Sequence, residues 1–465
     1  MDGSLAKLIL ALAAVGLVLI ANTRSKSLAG LREISISPAV LLLPTVVALQ
    51  VQLALWQSVV ALLLVAFLAR RELKPSGSHP RWWHVLILLA TFGHVLLTPR
   101  STGTLVVGLA TLIVVVDVAR RVPLERLAVS LLDGIALYCI VNVAGYAAGL
   151  TSPSAANRFG GLIGTTGGDR VFYPLTTSLN LAPSIAAIFV AAAPVLIATA
   201  GGRLLVLRAV GLACAVTMLF SAGARSALII SLSISLLSVL TPRVLRYVSV
   251  PVGIAGLLLA FVFQAVPAQT TESIVTAITG QTTELQRQGQ NTESTLNGRT
   301  EIWQGVFDGL EGRSATRLAL GYGTEGQVAS GVSERYSNVF TSSTADPRRA
   351  SAHNSGLQQL LDAGWVGLLG LTSLVALVLI GAARLPVHLR VVAVPATMAM
   401  ALTGATEVTV APGYAQEPML FLVALFVGLA CSARPPASDT IRGMSTTRSE
   451  ADASLLDPAS SGSRH

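Results

Sequence analysis

The chain has 465 residues, of which 52% are hydrophobic and only 12% charged, and its mean hydropathy is +0.69. Soluble domains carry roughly 25% charged residues, so this sequence has too few charges to cover a water-facing globule, and lipid must solvate most of its surface. The net charge of +9 is spread over short basic clusters between apolar runs, without a nucleic-acid-binding motif, so we expect no nucleic-acid partner.

Apolar runs long enough to span a bilayer, at about 20 residues each, follow one another along the chain. Twelve are predicted, over approximately 5–21, 38–69, 83–99, 102–119, 127–149, 179–200, 204–221, 225–241, 247–266, 356–383, 389–406 and 418–432. The fold class predicted is therefore an all-α polytopic membrane protein with about 12 transmembrane helices. Residues 1–266 hold the first nine helices and residues 356–432 the last three.

The run over 38–69 is the ambiguous one. A proline and three glutamines interrupt it, at Pro44, Gln50, Gln52 and Gln57, so one broken helix and two short helices are both open. Basic residues prefer the cytoplasmic side of a membrane, and a single crossing here keeps both Lys7 and the cluster from Arg70 to Arg81 inside. The same choice leaves Arg32 outside.

The same rule orients the rest of the chain. The basic connections at 201–208, 242–246 and 384–390 are predicted to be cytoplasmic. Segment 150–178, the Ser221–Arg225 connection and the large loop 267–355 are then extracytoplasmic. Residues 433–465 are rich in Ser, Ala, Asp and Pro and are predicted to be a disordered cytoplasmic tail.

The large loop contains a predicted amphipathic helix. Its apolar residues recur at intervals of three and four, at Ile302, Trp303, Val306, Phe307 and Leu310. Asn297 is a plausible N-cap, and Gly309 and Gly312 are typical of a helix end. Residues 326–350 are predicted to be an irregular polar segment.

Two outward arginines are candidates for binding an anion. Arg225 follows small residues at the outer end of a predicted span, where a ligand could approach the backbone; the alternative is an arginine that snorkels to the interface. Arg299 lies in the first turn of the loop helix, where a cation is unfavourable unless an anion binds there too. Free N–H groups and a guanidinium together suit a phosphate, whereas the alternative is a solvated surface arginine.

His353 is the candidate for acid–base chemistry. It lies where the tenth predicted span begins, and it is the histidine of the outer polar loops. The positive end of a helix disfavours imidazolium, so a neutral base would be available; the alternative is a capping or interfacial histidine. Two guanidiniums suit a diphosphate, and a neutral histidine suits deprotonation of a hydroxyl.

Other polar residues in the outer segments are weaker candidates, since solvation of a loop explains each of them. They are Arg158, Arg170, Tyr173, Asn354 and Glu407. The three cysteines lie inside apolar runs without metal-ligand spacing, and neither a metal nor a cofactor is predicted.

Three local motifs accompany this plan. They are Ser221-Ala-Gly-Ala-Arg225-Ser-Ala; Asn297-Gly-Arg299-Thr-Glu-Ile-Trp303 followed by Gly321-Tyr-Gly323; and His353-Asn354-Ser-Gly-Leu357 followed by Leu360-Leu-Asp-Ala-Gly364. Together they resemble the O-antigen ligase and O-antigen polymerase superfamily. One departure is that Arg158-Phe-Gly160 lacks the nearby Pro-Asn pair that the family often has, which weakens Arg158.

The resemblance implies a bacterial inner-membrane glycosyltransferase of the GT-C type with its active site on the extracytoplasmic face. Such an enzyme moves a glycan, with inversion and without a metal ion, from a polyprenyl diphosphate such as undecaprenyl diphosphate to a hydroxyl of a glycan or glycolipid acceptor. The resemblance gives Arg225 and Arg299 to the diphosphate and His353 to the acceptor. Ligase and polymerase both stay open, as does a transporter or flippase of lipid-linked glycans, which would need charged residues along a path; Asp117 and Asp133 are the main candidates.

Overall fold

The computed structural model describes residues 29–72, 80–98, 101–152, 171–265, 299–340, 350–412 and 416–432. Its helices are α1 Ala29–Arg32, α2 Pro38–Leu49, α3 Leu55–Glu72, α4 Trp82–Leu97, α5 Thr102–Arg121, α6 Leu124–Ala147, α7 Leu181–Ala198, α8 Gly202–Ser221, α9 Arg225–Leu240, α10 Pro242–Leu257, α11 Leu259–Ala265, α12 Arg299–Leu310, α13 Ala315–Leu320, α14 Gly326–Ala329, a 3-10 helix Val332–Phe340, α15 Ser355–Arg384, α16 Val387–Thr403 and α17 Gln416–Ser432. The predicted first span at 5–21 and the tail at 433–465 lie outside the described residues.

Five helices, α5, α6, α7, α8 and α15, are long and apolar enough to cross a membrane by length and composition. Within the described ranges every regular element is a helix. These features are those of an all-α membrane protein, as predicted. The number of crossings stays a prediction.

The helix ends form two opposite faces of the bundle. One face, which we call the basic end, is defined by Arg70 and Arg121 paired with Asp117 at 3.2 and 3.0 Å, and by Arg126 donating to the Ile36 carbonyl at 2.9 Å. The other face, which we call the site end, is defined by Gln52 donating to the Thr151 carbonyl at 2.9 Å and by the Thr324 amide donating to the Thr98 hydroxyl at 3.1 Å.

The ambiguous run over 38–69 is two helices. α2 leaves the basic end, the chain turns near Gln52 at the site end, and α3 returns alongside α2 to Arg70. Of the two alternatives left open for this run, the structure therefore shows two helices rather than one broken helix. Helix α1 packs against the start of α16, where Gly30 lies against the His388 ring. Arg32 therefore lies next to the basic end, whereas a single crossing would place it on the side opposite to Arg70.

Close helix contacts in the bundle depend on small residues. A Cβ added at Gly134 of α6 would lie 2.7 Å from the Leu41 carbonyl oxygen of α2, and one added at Gly211 of α8 would lie 2.6 Å from the Ala136 Cβ. Lipid tails are as apolar as leucine, so helices in a membrane gain little from the hydrophobic effect and rely on such close packing. Around these contacts a continuous apolar core joins the spans.

One ion pair lies within this core. Arg208 of α8 donates from Nε and Nη2 to the two carboxylate oxygens of Asp133 at 2.7 and 2.9 Å, and from Nη1 to the Leu196 carbonyl at 2.8 Å. The side chains are 3% and 0% exposed. The charge is thus neutralised between helices. Asp117, the other acid considered for a transport path, forms ion pairs with Arg70 and Arg121 at the basic end.

The loop helix predicted around residues 302–310 is α12. It buries Ile302, Trp303, Val306 and Leu310, as the periodicity predicts, while Asn297 lies outside the described residues. Gly309 does not end the helix, contrary to our interpretation. It is buried inside α12, where an added Cβ would lie 2.6 Å from a methyl group of Val332, whereas Gly312 follows the helix at φ +72°.

The segment predicted to be irregular is partly helical, since α14 and the 3-10 helix occupy much of it. Together with α12 they form a second, smaller apolar cluster against the start of α15. This cluster joins the loop to the bundle at the site end.

Helix α15 has 30 residues, which is about 45 Å at 1.5 Å per residue and exceeds a hydrocarbon core of about 30 Å. It kinks at Gly364, which has φ 64°. The kink frees two carbonyls, and the Tyr322 and Gly323 amides donate to those of Leu361 and Asp362 at 2.9 and 2.8 Å. The turns of α15 before Gly364 thereby bind the loop around Tyr322 and Gly323. They also position the residues that precede the helix.

Candidate active site

The tripeptide His353-Asn354-Ser355 holds the connection between α16 and α17. Asn354 caps α15 by accepting from the Leu357 amide at 2.8 Å, and its Nδ2 donates to the Ala405 carbonyl at 3.0 Å. The Ser355 amide donates to the Gly404 carbonyl at 2.8 Å. Two consecutive residues therefore bind the same loop, over residues 404–410, through backbone and side chain.

The Ser355 hydroxyl makes three further bonds to this loop. It donates to the Glu407 carbonyl at 2.9 Å and accepts from the Thr409 and Val410 amides at 3.0 and 3.1 Å. The loop is thus fixed on both sides of Glu407. This local clamp decides where the Glu407 carboxylate lies.

The Glu407 carboxylate lies between two of the predicted site residues. Its Oε1 accepts from Arg299 Nη2, and its Oε2 is 3.0 Å from His353 Nδ1. Arg299 Nε also donates to the Thr406 carbonyl at 2.8 Å. The side chains of Arg299, Glu407 and His353 are 17%, 13% and 22% exposed. A cation, a carboxylate and an imidazole therefore form a half-buried chain that is open to the site end.

The carboxylate of Glu407 is ionised. Burial alone would raise the pKa of Glu407, but the neighbouring charges of Arg299 and His353 and their hydrogen bonds outweigh burial and lower that pKa to about 2. An ionised carboxylate only accepts hydrogen bonds. His353 Nδ1 must therefore carry the proton that it shares with Glu407, and in the neutral imidazole Nε2 is then the acceptor nitrogen.

The backbone at His353 is in the left-handed region, with φ 49°. Histidine adopts this region more readily than branched residues, but it still carries strain there. The flanking contacts sustain it, because Trp303 Nε1 of α12 donates to the Ala352 carbonyl at 3.1 Å and Asn354 caps α15. The backbone conformation that these contacts hold places the His353 imidazole against the Glu407 carboxylate.

Arg225 begins α9 beside this cluster. Its neighbour Ser226 has its hydroxyl 3.5 Å from that of Thr406, whose carbonyl binds Arg299. The Arg225 side chain is exposed. It makes no hydrogen bond or ion pair with the part of the chain that the structure describes, so this guanidinium can meet a ligand at the site end.

The turn before Arg225 is anchored by Tyr173. The Tyr173 hydroxyl lies 2.6 Å from that of Ser221, and the Val171 amide donates to the Ser221 carbonyl at 2.8 Å. Burial raises the pKa of Tyr173, against the opposing effect of the Ser221 hydrogen bond. Tyr173 is thus a buried anchor of this turn, and Asn354 is likewise a clamp rather than a solvated loop residue. Arg158 and Arg170 lie outside the described residues.

Sequence reasoning ranked Glu407 too low and did not single out Thr406 or Ser355. The available signal was that Glu407 is the acid between the apolar runs of α16 and α17. Solvation of a loop explained that position equally well. What makes it part of the site is a contact across 54 residues to His353 and one across 108 residues to Arg299.

Comparison with known families agrees with the geometry. Residues 209–372 match the family model described as O-antigen ligase, which supports the resemblance to the O-antigen ligase and polymerase superfamily. The match begins in α8 and ends in α15, and it includes Arg225, Arg299 and His353. The match and the apolar helices together indicate a multi-pass membrane protein. No curated protein matches the chain.

Proposed function

We propose that the protein is an inverting membrane glycosyltransferase that moves a glycan from a polyprenyl-diphosphate carrier to a hydroxyl of an acceptor glycan or glycolipid. The observation that carries the proposal is the Arg299–Glu407–His353 chain, with the exposed Arg225 beside it. It combines cationic groups suited to an anionic leaving group with a histidine base that a carboxylate orients, at one end of a bundle of apolar helices.

The reaction follows from these groups. The acceptor hydroxyl oxygen attacks the anomeric carbon of the donor while His353 Nε2 takes the hydroxyl proton. The bond between that carbon and the diphosphate oxygen breaks, and the diphosphate leaves with the electron pair. Attack opposite to the leaving group inverts the configuration of the anomeric carbon. Glu407 stabilises the imidazolium that forms, as a buried carboxylate does for a catalytic histidine.

The arginines would neutralise the leaving group. Arg299 is held by the Thr406 carbonyl through Nε and by Glu407 through Nη2, and its Nη1 makes no hydrogen bond with the described residues. The exposed Arg225 supplies a second guanidinium. Guanidiniums bind phosphate oxygens in bidentate geometry. Two of them can stabilise the negative charge without a metal ion, as the family resemblance implies.

The proposed place of action is the extracytoplasmic face of a bacterial inner membrane. The supporting observation is that basic clusters gather at the end of the bundle opposite to the site, and basic loops prefer the cytoplasm. A donor held in the outer leaflet would present its diphosphate at that level. A polymerase differs from a ligase only in using another lipid-linked glycan as the acceptor.

The test is transfer by purified protein in detergent micelles, which have no compartments and so exclude transport as the measured activity. Donor is a polyprenyl-diphosphate-linked glycan, and its consumption is followed with and without acceptor. We expect His353→Ala to lower the transfer rate by about 10² to 10⁴, the usual contribution of a general base. Arg225→Ala and Arg299→Ala should lower it by at least about tenfold each, because each removes a charge-assisted contact.

Matched controls use the same residue types away from the site. His388→Ala changes a histidine beside the foot of α1, and Arg317→Ala changes an exposed arginine of α13. Both should keep wild-type transfer. Full activity in all three site variants would refute the assignment of the site. In a deletion strain that carries the variants, accumulated single repeats indicate a lost polymerase, and accumulated long chains indicate a lost ligase.

A further inference from the structure

The guanidinium proposed to bind the donor is already engaged in the free protein. Arg299 Nη2 donates to Glu407 Oε1, and Arg299 Nε donates to the Thr406 carbonyl at 2.8 Å. An incoming diphosphate must therefore compete with a carboxylate for the Nη face of Arg299. The Thr406 contact need not be given up, since it uses a different nitrogen.

The same carboxylate is the partner of the proposed base. Glu407 Oε2 lies 3.0 Å from His353 Nδ1. The backbone under Glu407 is fixed by Ser355, which contacts the Glu407 carbonyl and the two amides that follow at Thr409 and Val410. The carboxylate therefore divides its charge between two partners from a fixed position.

We propose that Glu407 couples the two halves of the reaction, because donor diphosphate displaces it from Arg299 and leaves it bound to His353 alone. This inference rests on the proposed function. In the site without donor, the positive charge of Arg299 largely neutralises the negative charge of Glu407. With donor bound, a diphosphate takes over the guanidinium, and the full carboxylate charge then supports a proton on His353. Acceptor activation thus follows donor binding.

Charge and exposure favour this exchange. A diphosphate carries more negative charge than one carboxylate and can accept in bidentate geometry. The Arg299–Glu407 pair is partly open, at 17% and 13% exposure, so a ligand can reach it without separating ions inside the apolar core. The exchange replaces one anionic partner of Arg299 by another, so the guanidinium is never left without a counter-charge.

The test measures donor binding and transfer separately in Glu407→Gln. The glutamine keeps the size of the side chain but removes the charge that competes for Arg299 and supports His353. We expect the Kd of the variant for undecaprenyl diphosphate in micelles to fall by about two- to fivefold, the range of a partly exposed ion pair. We expect the transfer rate at saturating donor to fall by at least about tenfold.

His353→Ala provides a second variant with the opposite sign for binding. Without the imidazole, Glu407 has only Arg299 as a partner, so donor binding should weaken, by up to about threefold, while transfer is lost. A merely structural role of Glu407 would weaken binding and transfer together. Glu301→Gln, an exposed acid in the first turn of α12, is the matched control and should change neither.

The outcomes separate the two proposals. Unchanged or weaker donor binding in folded Glu407→Gln, monodisperse by gel filtration, overturns the coupling. If that variant aggregates, unchanged or tighter binding in His353→Ala overturns it instead. Full transfer in Arg299→Ala and His353→Ala contradicts the proposed function itself. Lost transfer in those two variants, with donor binding unchanged in Glu407→Gln, leaves the function standing and removes only the coupling.

Discussion

The molecule contains two arginine–carboxylate pairs whose surroundings are opposite. Arg208 and Asp133 lie inside the helix bundle at 3% and 0% exposure, with a two-point contact and the third nitrogen on the Leu196 carbonyl. Arg299 and Glu407 lie at the site end, where the carboxylate is shared with His353 and all three side chains remain partly exposed. The same two chemical groups thus form a closed pair in one place and an open one in the other.

The contrast shows how to recognise a site among charged residues of a membrane protein. Asp133 lies in an apolar run and Glu407 between two of them, and the sequence made neither a leading site candidate. The closed pair has its hydrogen bonds satisfied by protein and makes a contact between α6 and α8. The open pair has hydrogen-bonding capacity left for a ligand. Spare capacity at an accessible position, rather than the presence of charge, marks function.

The largest effect expected concerns the closed pair. Asp133→Asn leaves the Arg208 charge buried without a counter-ion, and removal of one partner from a buried ion pair costs about 3–5 kcal/mol. Thermal or denaturant unfolding in detergent should show this loss. Glu407→Gln should cost less stability than Asp133→Asn, because Arg299 remains partly exposed and keeps its contact with the Thr406 carbonyl.

A double variant sharpens that comparison. Replacing both members of the closed pair, with Asp133→Leu and Arg208→Met, removes the unpaired charge and should recover most of the stability lost in Asp133→Asn. An equal loss of stability from Asp133→Asn and Glu407→Gln would erase the distinction between the pairs.

A smaller effect is expected from the clamp that positions the open pair. Ser355→Ala leaves the buried Thr409 and Val410 amides without their acceptor, which costs about 1–3 kcal/mol. The loop that carries Glu407 should then loosen, and transfer should slow by about tenfold, as small misplacements of catalytic groups do.

The matched control for the clamp is Ser235→Ala. Ser235 is also buried, and its hydroxyl has no hydrogen-bond partner among the residues that the structure describes. Its loss should change stability by less than about 0.5 kcal/mol. Wild-type transfer in a stable Ser355→Ala protein would show that the clamp does not position the site.

The smallest effect expected is a pH dependence that belongs to the open pair. Arg299 and His353 hold the pKa of Glu407 at about 2, below its ordinary value of 4.5. A lowered pKa means that the folded protein binds this proton less readily than the unfolded chain. The stabilisation is therefore fully present above pH 4.5 and is lost as pH falls towards 2.

The measurement compares melting temperatures of His353→Ala with and without Glu407→Gln, so that Arg299 is the remaining charged partner of the carboxylate. The difference between the two proteins should stay constant from pH 7 to about pH 5 and shrink below 4.5. A difference that already shrinks between pH 7 and pH 5 would contradict an ionised, paired Glu407.

The predicted elements agree with the structure where local pattern decides. Helix α12 covers the residues whose three- and four-residue spacing predicts an amphipathic helix, and Gly312 adopts the positive φ expected after its end. Local sequence pattern does not predict a residue's role where packing against a residue distant in the sequence determines it. Gly309 resembles a helix end in the sequence, yet it is a packing position because Val332 leaves no room for a Cβ.

The sequence by itself determined that the chain is a helical membrane protein and that its large loop holds an amphipathic helix around residues 302–310, because helix formation and membrane solvation depend on the spacing and length of apolar runs. Only the tertiary structure decided that residues 38–69 reverse direction, that Asp133 is closed off by Arg208, and that Glu407 joins Arg299 to His353. Those outcomes depend on contacts between segments far apart in the chain, and the local spacing of residues does not determine which distant segments come together.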